Sequence, residues 1–142
     1  MPFDPALYKH QEITDVILRC FYEVYNELGY GFLESVYEEA LHTVLCEAGL
    51  EAKRQFPLPV FFRGKQIGDF RADLIVAGLV IVEIKAARSL EPVHEAQLLN
   101  YPRACDFEIG LLLNFGLSPR IKRFVFSNDK KVNLRSSALI CG

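Results

Sequence analysis

Arg71-Ala72-Asp73-Leu74-Ile75-Val76-Ala77-Gly78-Leu79-Val80-Ile81-Val82-Glu83-Ile84-Lys85 reads as two strands and the turn between them. The run 79–82 is apolar at every position, so it has no solvent face. Such a run marks a central strand covered on both sides. Charges then appear where a core would exclude them. Glu83 and Lys85 are two residues apart and share one face of the strand. Asp73 interrupts the preceding apolar run. The connection is too short for a crossover, so the two strands form an antiparallel hairpin. A two-residue loop, Ala77-Gly78, would place Asp73 opposite Val82. A three-residue loop, Ala77-Gly78-Leu79, would place it opposite Glu83, with the two Cβ atoms roughly 5 Å apart. Like charges so placed repel unless a cation lies between them. A hard divalent ion that binds through one or two carboxylates and keeps its waters answers that repulsion. Without such an ion, Glu83 and Lys85 would be no more than a surface pair at a strand end.

Outward from this hairpin the periodicity changes. Ile13, Val16, Ile17, Cys20, Phe21, Val24 and Leu28 recur at helical spacing, as do Leu33, Val36, Tyr37, Ala40, Leu41, Val44, Leu45 and Ala48. These predict amphipathic helices over 6–28 and 32–48, ended by Gly29/Gly31 and Gly49. Residues 56–62 carry two prolines, as an edge strand does. Residues 63–66 form a turn, and 67–76 and 79–85 are strands. Pro92 opens a helix, which Pro102 should kink or stop at Tyr101. Residues 109–115 and 121–126 are two further strands. The order is ααβββαββ, an α/β (α+β) fold with helices flanking a central mixed sheet. No linker divides the chain. The reading is one domain over 1–142, with its sheet-and-helix core at 53–127 and a tail at 128–142.

The chain has 142 residues, 51% hydrophobic and 24% charged, with a formal charge of −2. This balance excludes collagen, disorder and a disulfide scaffold. The small net charge conceals a dipole. Residues 1–51 hold ten acids and two bases, a net −8, whereas 52–142 hold fourteen bases and eight acids, a net +6. Asymmetry of this kind points to a charged partner. No signal-peptide pattern or membrane-spanning run is present, so a cytoplasmic location is expected and no membrane partner. Cys20, Cys46, Cys105 and Cys141 are widely spaced, and His10, His42 and His94 do not have zinc-ligand spacing. All four cysteines read as structural, with Cys20 and Cys46 on apolar helix stripes.

Asp73 followed by Glu83-Ile84-Lys85 resembles the D…(D/E)-x-K core of the PD-(D/E)XK nucleases, although Ala72 stands where the name has proline. Gly31-Phe32-Leu33-Glu34-Ser35-Val36-Tyr37 is similar to the G-x-x-E-x-x-Y signature of a small bacterial and archaeal family within that superfamily, the GxxExxY proteins. Gln97-Leu98-Leu99-Asn100-Tyr101 resembles the Q-x-x-x-Y motif of the RecB-like and λ-exonuclease-like branch. Gly110-Leu111-Leu112-Leu113-Asn114-Phe115-Gly116 resembles the family's G-L-L-hydrophobic-N-F-G strand. The four segments cover about 13–126.

The resemblance implies a restriction-endonuclease-like core and a metal-dependent nuclease acting on DNA. It implies Mg²⁺ or Mn²⁺ held by Asp73, Glu83 and the Ile84 carbonyl, with Glu34 as a further ligand or water hook. Lys85 would orient the attacking water or stabilise charge on the phosphate. Gln97, and less directly Tyr101, would border the site. Arg71 and Arg88 flank it, and Arg120, Lys122 and Arg123 lead a basic cluster that continues to Lys130, Lys131 and Arg135. These bases are candidates for phosphate contacts. The expected partner is nucleic acid, with a homodimer left open. The alternative is a nuclease-fold protein that binds nucleic acid or a partner with little or no catalysis.

Overall fold

The structure, a computed structural model, describes residues 5–104 and 107–126, with side chains described for 10–100 and 107–126. The tail with Lys130, Lys131 and Arg135, the cysteines at 105 and 141, and the Tyr101 side chain lie outside what is described.

Two helices come first, α1 (Pro5–Leu28) and α2 (Glu34–Glu47), followed by three strands, β1 (Ala52–Phe62), β2 (Lys65–Val76) and β3 (Val80–Lys85). Helix α3 (Pro92–Ala104) then crosses to β4 (Ile109–Phe115) and β5 (Pro119–Val125). The ααβββαββ order is the one expected. The strands form one sheet in the order β1-β2-β3-β4-β5. Only β3 and β4 run parallel, because only they are joined through a helix. The neighbouring pairs are antiparallel.

Each face of the sheet has its own core. On one face Ile17, Phe21 and Val24 of α1 and Tyr37, Leu41 and Leu45 of α2 bury Leu74, Val82, Ile84, Leu111 and Leu113. On the other face Leu98 of α3 packs with Leu58, Ile75, Ile81 and Leu112. Strand β4 is buried at every position and β3 at all but Lys85, as its unbroken apolar run required. Gly110 lets α3 approach closely, since a Cβ there would meet Leu98 carbons at 3.3 Å. The two prolines lie on β1, an edge strand, where missing amides are tolerated.

Tyr37 joins the two N-terminal helices. Its hydroxyl donates to the Gly29 carbonyl at 2.6 Å and accepts from the Phe32 amide at 3.2 Å. Its ring stacks on Phe115 at 4.3 Å between centroids. Gly31, with φ of 112°, makes the bend between the helices in a conformation that favours glycine. Both ends of the Gly31–Tyr37 segment therefore have structural work.

Two expectations need correction. Helix α3 continues through Pro102 to Ala104 instead of ending at Tyr101. Pro102 sits in the last turn, where its missing amide removes one bond and little helix remains to be disrupted. Cys46 is exposed, unlike Cys20. It lies one position past the α2 stripe, with its sulfur 3.7 Å from His42 Nε2. No helix among the described residues is long and apolar enough to cross a membrane.

Candidate active site

The register of the β2–β3 hairpin decides the site. Val76 pairs with Val80, Ile75 with Ile81 and Leu74 with Val82, which is the three-residue loop. Gly78 has φ of 65° and Ala77 φ of 55°, so two consecutive residues are left-handed, and Leu79 N–H closes the turn on the Val76 carbonyl at 3.0 Å. The next step of the ladder would bring Asp73 opposite Glu83. Pairing stops there, and the strands part. Strand β2 goes on with β1, while Glu83, Ile84 and Lys85 pair only with β4. A fork opens in the sheet, and Asp73 and Glu83 stand on its two sides. The Ile84 amide, deprived of a strand partner, donates to Asp73 Oδ2 at 2.7 Å. The side chain thus takes over a backbone bond and becomes fixed in direction.

Glu83 is buried, only 5% exposed, and Asp73 is half-buried. Burial pushes the Glu83 carboxyl up to about 9, and the Asp73 charge adds to that shift against the opposing pull of Lys85. Asp73 is also raised, first by burial. The Ile84 amide works against the rise and the charge of Glu38 adds to it. Glu83 Oε1 is buried without a hydrogen-bond partner among the described residues. An unpaired buried oxygen costs ~1–3 kcal/mol. Two neighbouring carboxyls shifted upward chiefly by burial, one of them with an unsatisfied oxygen, suit a hard divalent cation. Among the described residues no third His, Cys, Asp or Glu completes a metal-binding group. Two carboxylates plus a backbone carbonyl match an ion that retains water ligands better than they match zinc.

Lys85 is half-buried, and its Nζ donates to Gln97 Oε1 at 3.4 Å, a long bond from β3 to α3. This bond places Gln97 beside the lysine. The chain after Lys85 is held by Asn114, 1% exposed, whose amide accepts from Ala87 N–H and donates to the Ala87 carbonyl, each at 2.9 Å. Gly116 lies against the same peptide, and a Cβ there would meet the Ala87 oxygen at 2.3 Å. This gives a physical reason for the asparagine and the final glycine in Gly110–Gly116. Gly116→Ala should cost ~2 kcal/mol or more, since backbone must move to relieve overpacking. Chemical denaturation measures it, and a loss below 0.5 kcal/mol, about the scatter of surface changes, would contradict the contact.

Helix α2 supplies a different acid from the one expected. Glu34 is exposed on the first turn, and no described hydrogen bond or ion pair joins it to Asp73 or Glu83. One turn later Glu38 is 6% exposed, and its charge reaches Asp73. Its Oε1 accepts from Gln55 Nε2 at 2.6 Å, and its Oε2 accepts from Arg54 Nε at 3.0 Å. Arg54 also bonds Glu39. By spacing Glu38 shares the stripe of Leu41 and Leu45 at i+3 and i+7, just as Glu34 shares that of Tyr37 and Leu41, so the sequence signal for Glu38 is no stronger than that for Glu34. The β1 residue opposite Asp73 by register is Gln55, with φ of 51°, and its carbonyl accepts from Arg71 Nη1 at 3.2 Å.

The remaining bases are dispersed. Arg71 and Arg88 are exposed, two residues before Asp73 and three after Lys85. Arg120, Lys122 and Arg123 lie on β5, the edge strand beyond β4. Alternation divides them between faces: Lys122 pairs with Glu95 of α3 at 3.4 Å, and Arg123 donates to Gln11 of α1 at 3.0 Å.

No curated protein matches the sequence. Among solved structures it is similar to the crystal structure of SSO0001, with 19% identity and a TM-score of 0.51 over 72% of this chain and 55% of that one. The chain therefore spans about half the length of that structure, and the likeness concerns the fold, a five-stranded mixed sheet flanked by helices in the restriction-endonuclease-like manner. Residues 11–124 match the family model for PD-(D/E)XK nucleases. With an acid on each side of the fork and the lysine two residues beyond the second, the chain belongs to the PD-(D/E)XK nuclease superfamily.

Proposed function

We propose that the protein is a metal-dependent nuclease that hydrolyses phosphodiester bonds in DNA. The observation that carries this reading is the fork at Asp73 and Glu83, where Glu83, with one buried oxygen that has no partner among the described residues, feels the charges of Asp73 and Lys85. Asp73, Glu83 and the Ile84 carbonyl would hold Mg²⁺ or Mn²⁺. Such an ion, when bound, polarises a phosphoryl oxygen and lowers the pKa of a coordinated water. Ile84 N–H keeps one Asp73 oxygen occupied and so presents the other. Lys85 carries a positive charge to the reacting phosphate, where it orients water or stabilises charge that develops in the transition state. Gln97 aims that ammonium from α3. Glu34, on the exposed first turn of α2, belongs to this reading as an outer hook for water. Arg71 and Arg88 are the phosphate contacts nearest the acids in sequence, with Tyr101 and the β5 bases Arg120, Lys122 and Arg123 farther out. The Gly31–Tyr37 and Gln97–Tyr101 segments support a place among the GxxExxY proteins and in the RecB-like branch.

The test is cleavage of linear DNA by purified protein. With millimolar Mg²⁺ or Mn²⁺ the DNA should be degraded, and a chelator should stop degradation fully. DNA binding without cleavage under either metal would overturn the enzymatic reading and favour the binding-only alternative.

A further inference from the structure

Beyond the fork, β1 and β2 leave the sheet as a two-stranded ribbon. Its β2 strand starts at Lys65 and runs into the site at Asp73. Every β2 residue from Lys65 to Arg71 is exposed. Eight steps at ~3.3 Å give the ribbon a length of ~26 Å measured from Asp73. Its base is held, since Leu58 and Ala72 pack with Leu98 of α3. Its tip is basic. Arg63 and Lys65 flank Gly64, and the Arg63 guanidinium lies over the Phe62 ring at 5.1 Å. Arg71 adds a third cation near the base, against Asp69 as the one acid over 61–71. Lys53, Lys122 and Arg54 have carboxylate partners, whereas no described ion pair involves Arg63, Lys65 or Arg71.

We infer that the β1–β2 ribbon is the element that grips double-stranded DNA, lying in its major groove and guiding one strand to Asp73. This rests on the nuclease reading above and specifies its substrate. Three observations favour this occupant. A two-stranded ribbon fits the major groove of B-form DNA, ~12 Å wide, and not the deep, narrow major groove of A-form RNA. The cations at the tip and base match phosphates on either side of that groove. Pairing of the β1 edge with another chain's strand is blocked, because Pro57 and Pro59 lack donors.

The experiment is fluorescence anisotropy of a labelled 20-base-pair duplex, read in a Lys85→Met background with Mg²⁺, so that cleavage cannot confound binding. The combined change Arg63→Gln and Lys65→Gln should weaken duplex binding about 10- to 100-fold at 100 mM salt. It should also lower the slope of log affinity against log salt by about 1.8. Single-stranded DNA and double-stranded RNA of the same sequence should bind the parent less tightly than the duplex. An unchanged affinity and slope, or a parent that prefers single strands or RNA or binds no duplex, would overturn the ribbon assignment. Should the double variant melt early, Lys65→Gln alone should lower the slope by about 0.9. The nuclease reading is judged separately, by cleavage with Lys85 intact.

Discussion

Lys85→Met should reduce metal-dependent DNA cleavage by about 10²- to 10³-fold while leaving the protein folded. Lys85 is half-buried, and its described bond, to Gln97 at 3.4 Å, is long. Little native structure depends on it, so the melting temperature should stay close to that of the parent. Activity should not. The ammonium is the cation that offsets two carboxyls pushed up by burial, and it lowers both. Without it the carboxyls hold their protons more firmly, metal binding weakens, and no cation remains to stabilise charge on the phosphate. Lys85→Arg should recover little, because a planar guanidinium cannot reproduce a compact ammonium at the same point. Gln97→Ala should have a smaller effect, since Gln97 acts by aiming Lys85. Full activity in Lys85→Met would remove the lysine from the mechanism and point to a contaminating nuclease. Loss of activity together with loss of fold would show that Lys85 is structural.

The strongest part of the fold was written locally. The unbroken apolar run of β3 demanded cover on both faces, and the structure provides it with α1 and α2 on one side and α3 on the other. The choice between two hairpin registers was open in sequence, since Ala77-Gly78 could close either loop. Tertiary structure settled it. The Ala77 amide bonds the Glu51 carbonyl, and Val76 pairs with Ala52 of β1, so the turn is held from outside the hairpin. That β2 and β3 would part at Asp73 was not legible, because it depends on β1 continuing with β2 as far as Phe62 and Lys65 while β3 continues with β4.

The acid on α2 shows the same limit. Glu34 and Glu38 are one turn apart and border the same stripe, so periodicity cannot rank them. Arg54 and Gln55, on β1, decide which one is buried. A carboxylate is tolerated at a core position only when cations and donors meet it, and those partners are distant in sequence. The bases of β5 are divided between faces for a local reason: adjacent residues of a strand point to opposite faces, and Lys122 and Arg123 are adjacent. Pro102 disturbs α3 little because its cost depends on how much helix follows, and only two residues do.

Glu83→Gln should make the metal-free protein more stable at neutral and alkaline pH and flatten its stability against pH. A glutamate in water titrates near 4.5, whereas Glu83 in the fold titrates at about 9. The folded state therefore holds a proton that the unfolded chain releases. The stability tied to that proton is complete below about pH 4.5 and is lost progressively as pH rises toward 9. Asp73 is shifted in the same direction and adds to the decline from the acidic side. Each unit of displacement corresponds to ~1.4 kcal/mol, so the decline is on the order of a few kcal/mol, or a fall of roughly 10 °C or more in melting temperature. Glutamine has the same shape and no proton to lose, so the variant should show a much shallower fall. Carboxylates away from the fork titrate alike in both proteins, so the difference between the two curves isolates the Glu83–Asp73 pair. Mg²⁺ should act oppositely, because oxygen ligands must be deprotonated to bind it. Its stabilising effect should therefore grow from pH 5.5 to pH 8.5, and calorimetry near neutral pH should register about one proton released per ion bound. Parallel melting curves for the two proteins, or a Mg²⁺ effect that does not change with pH, would mean that Glu83 is ionised in the empty fold. The repulsion between Glu83 and Asp73 would then have to be relieved by something other than a shared proton or a metal ion.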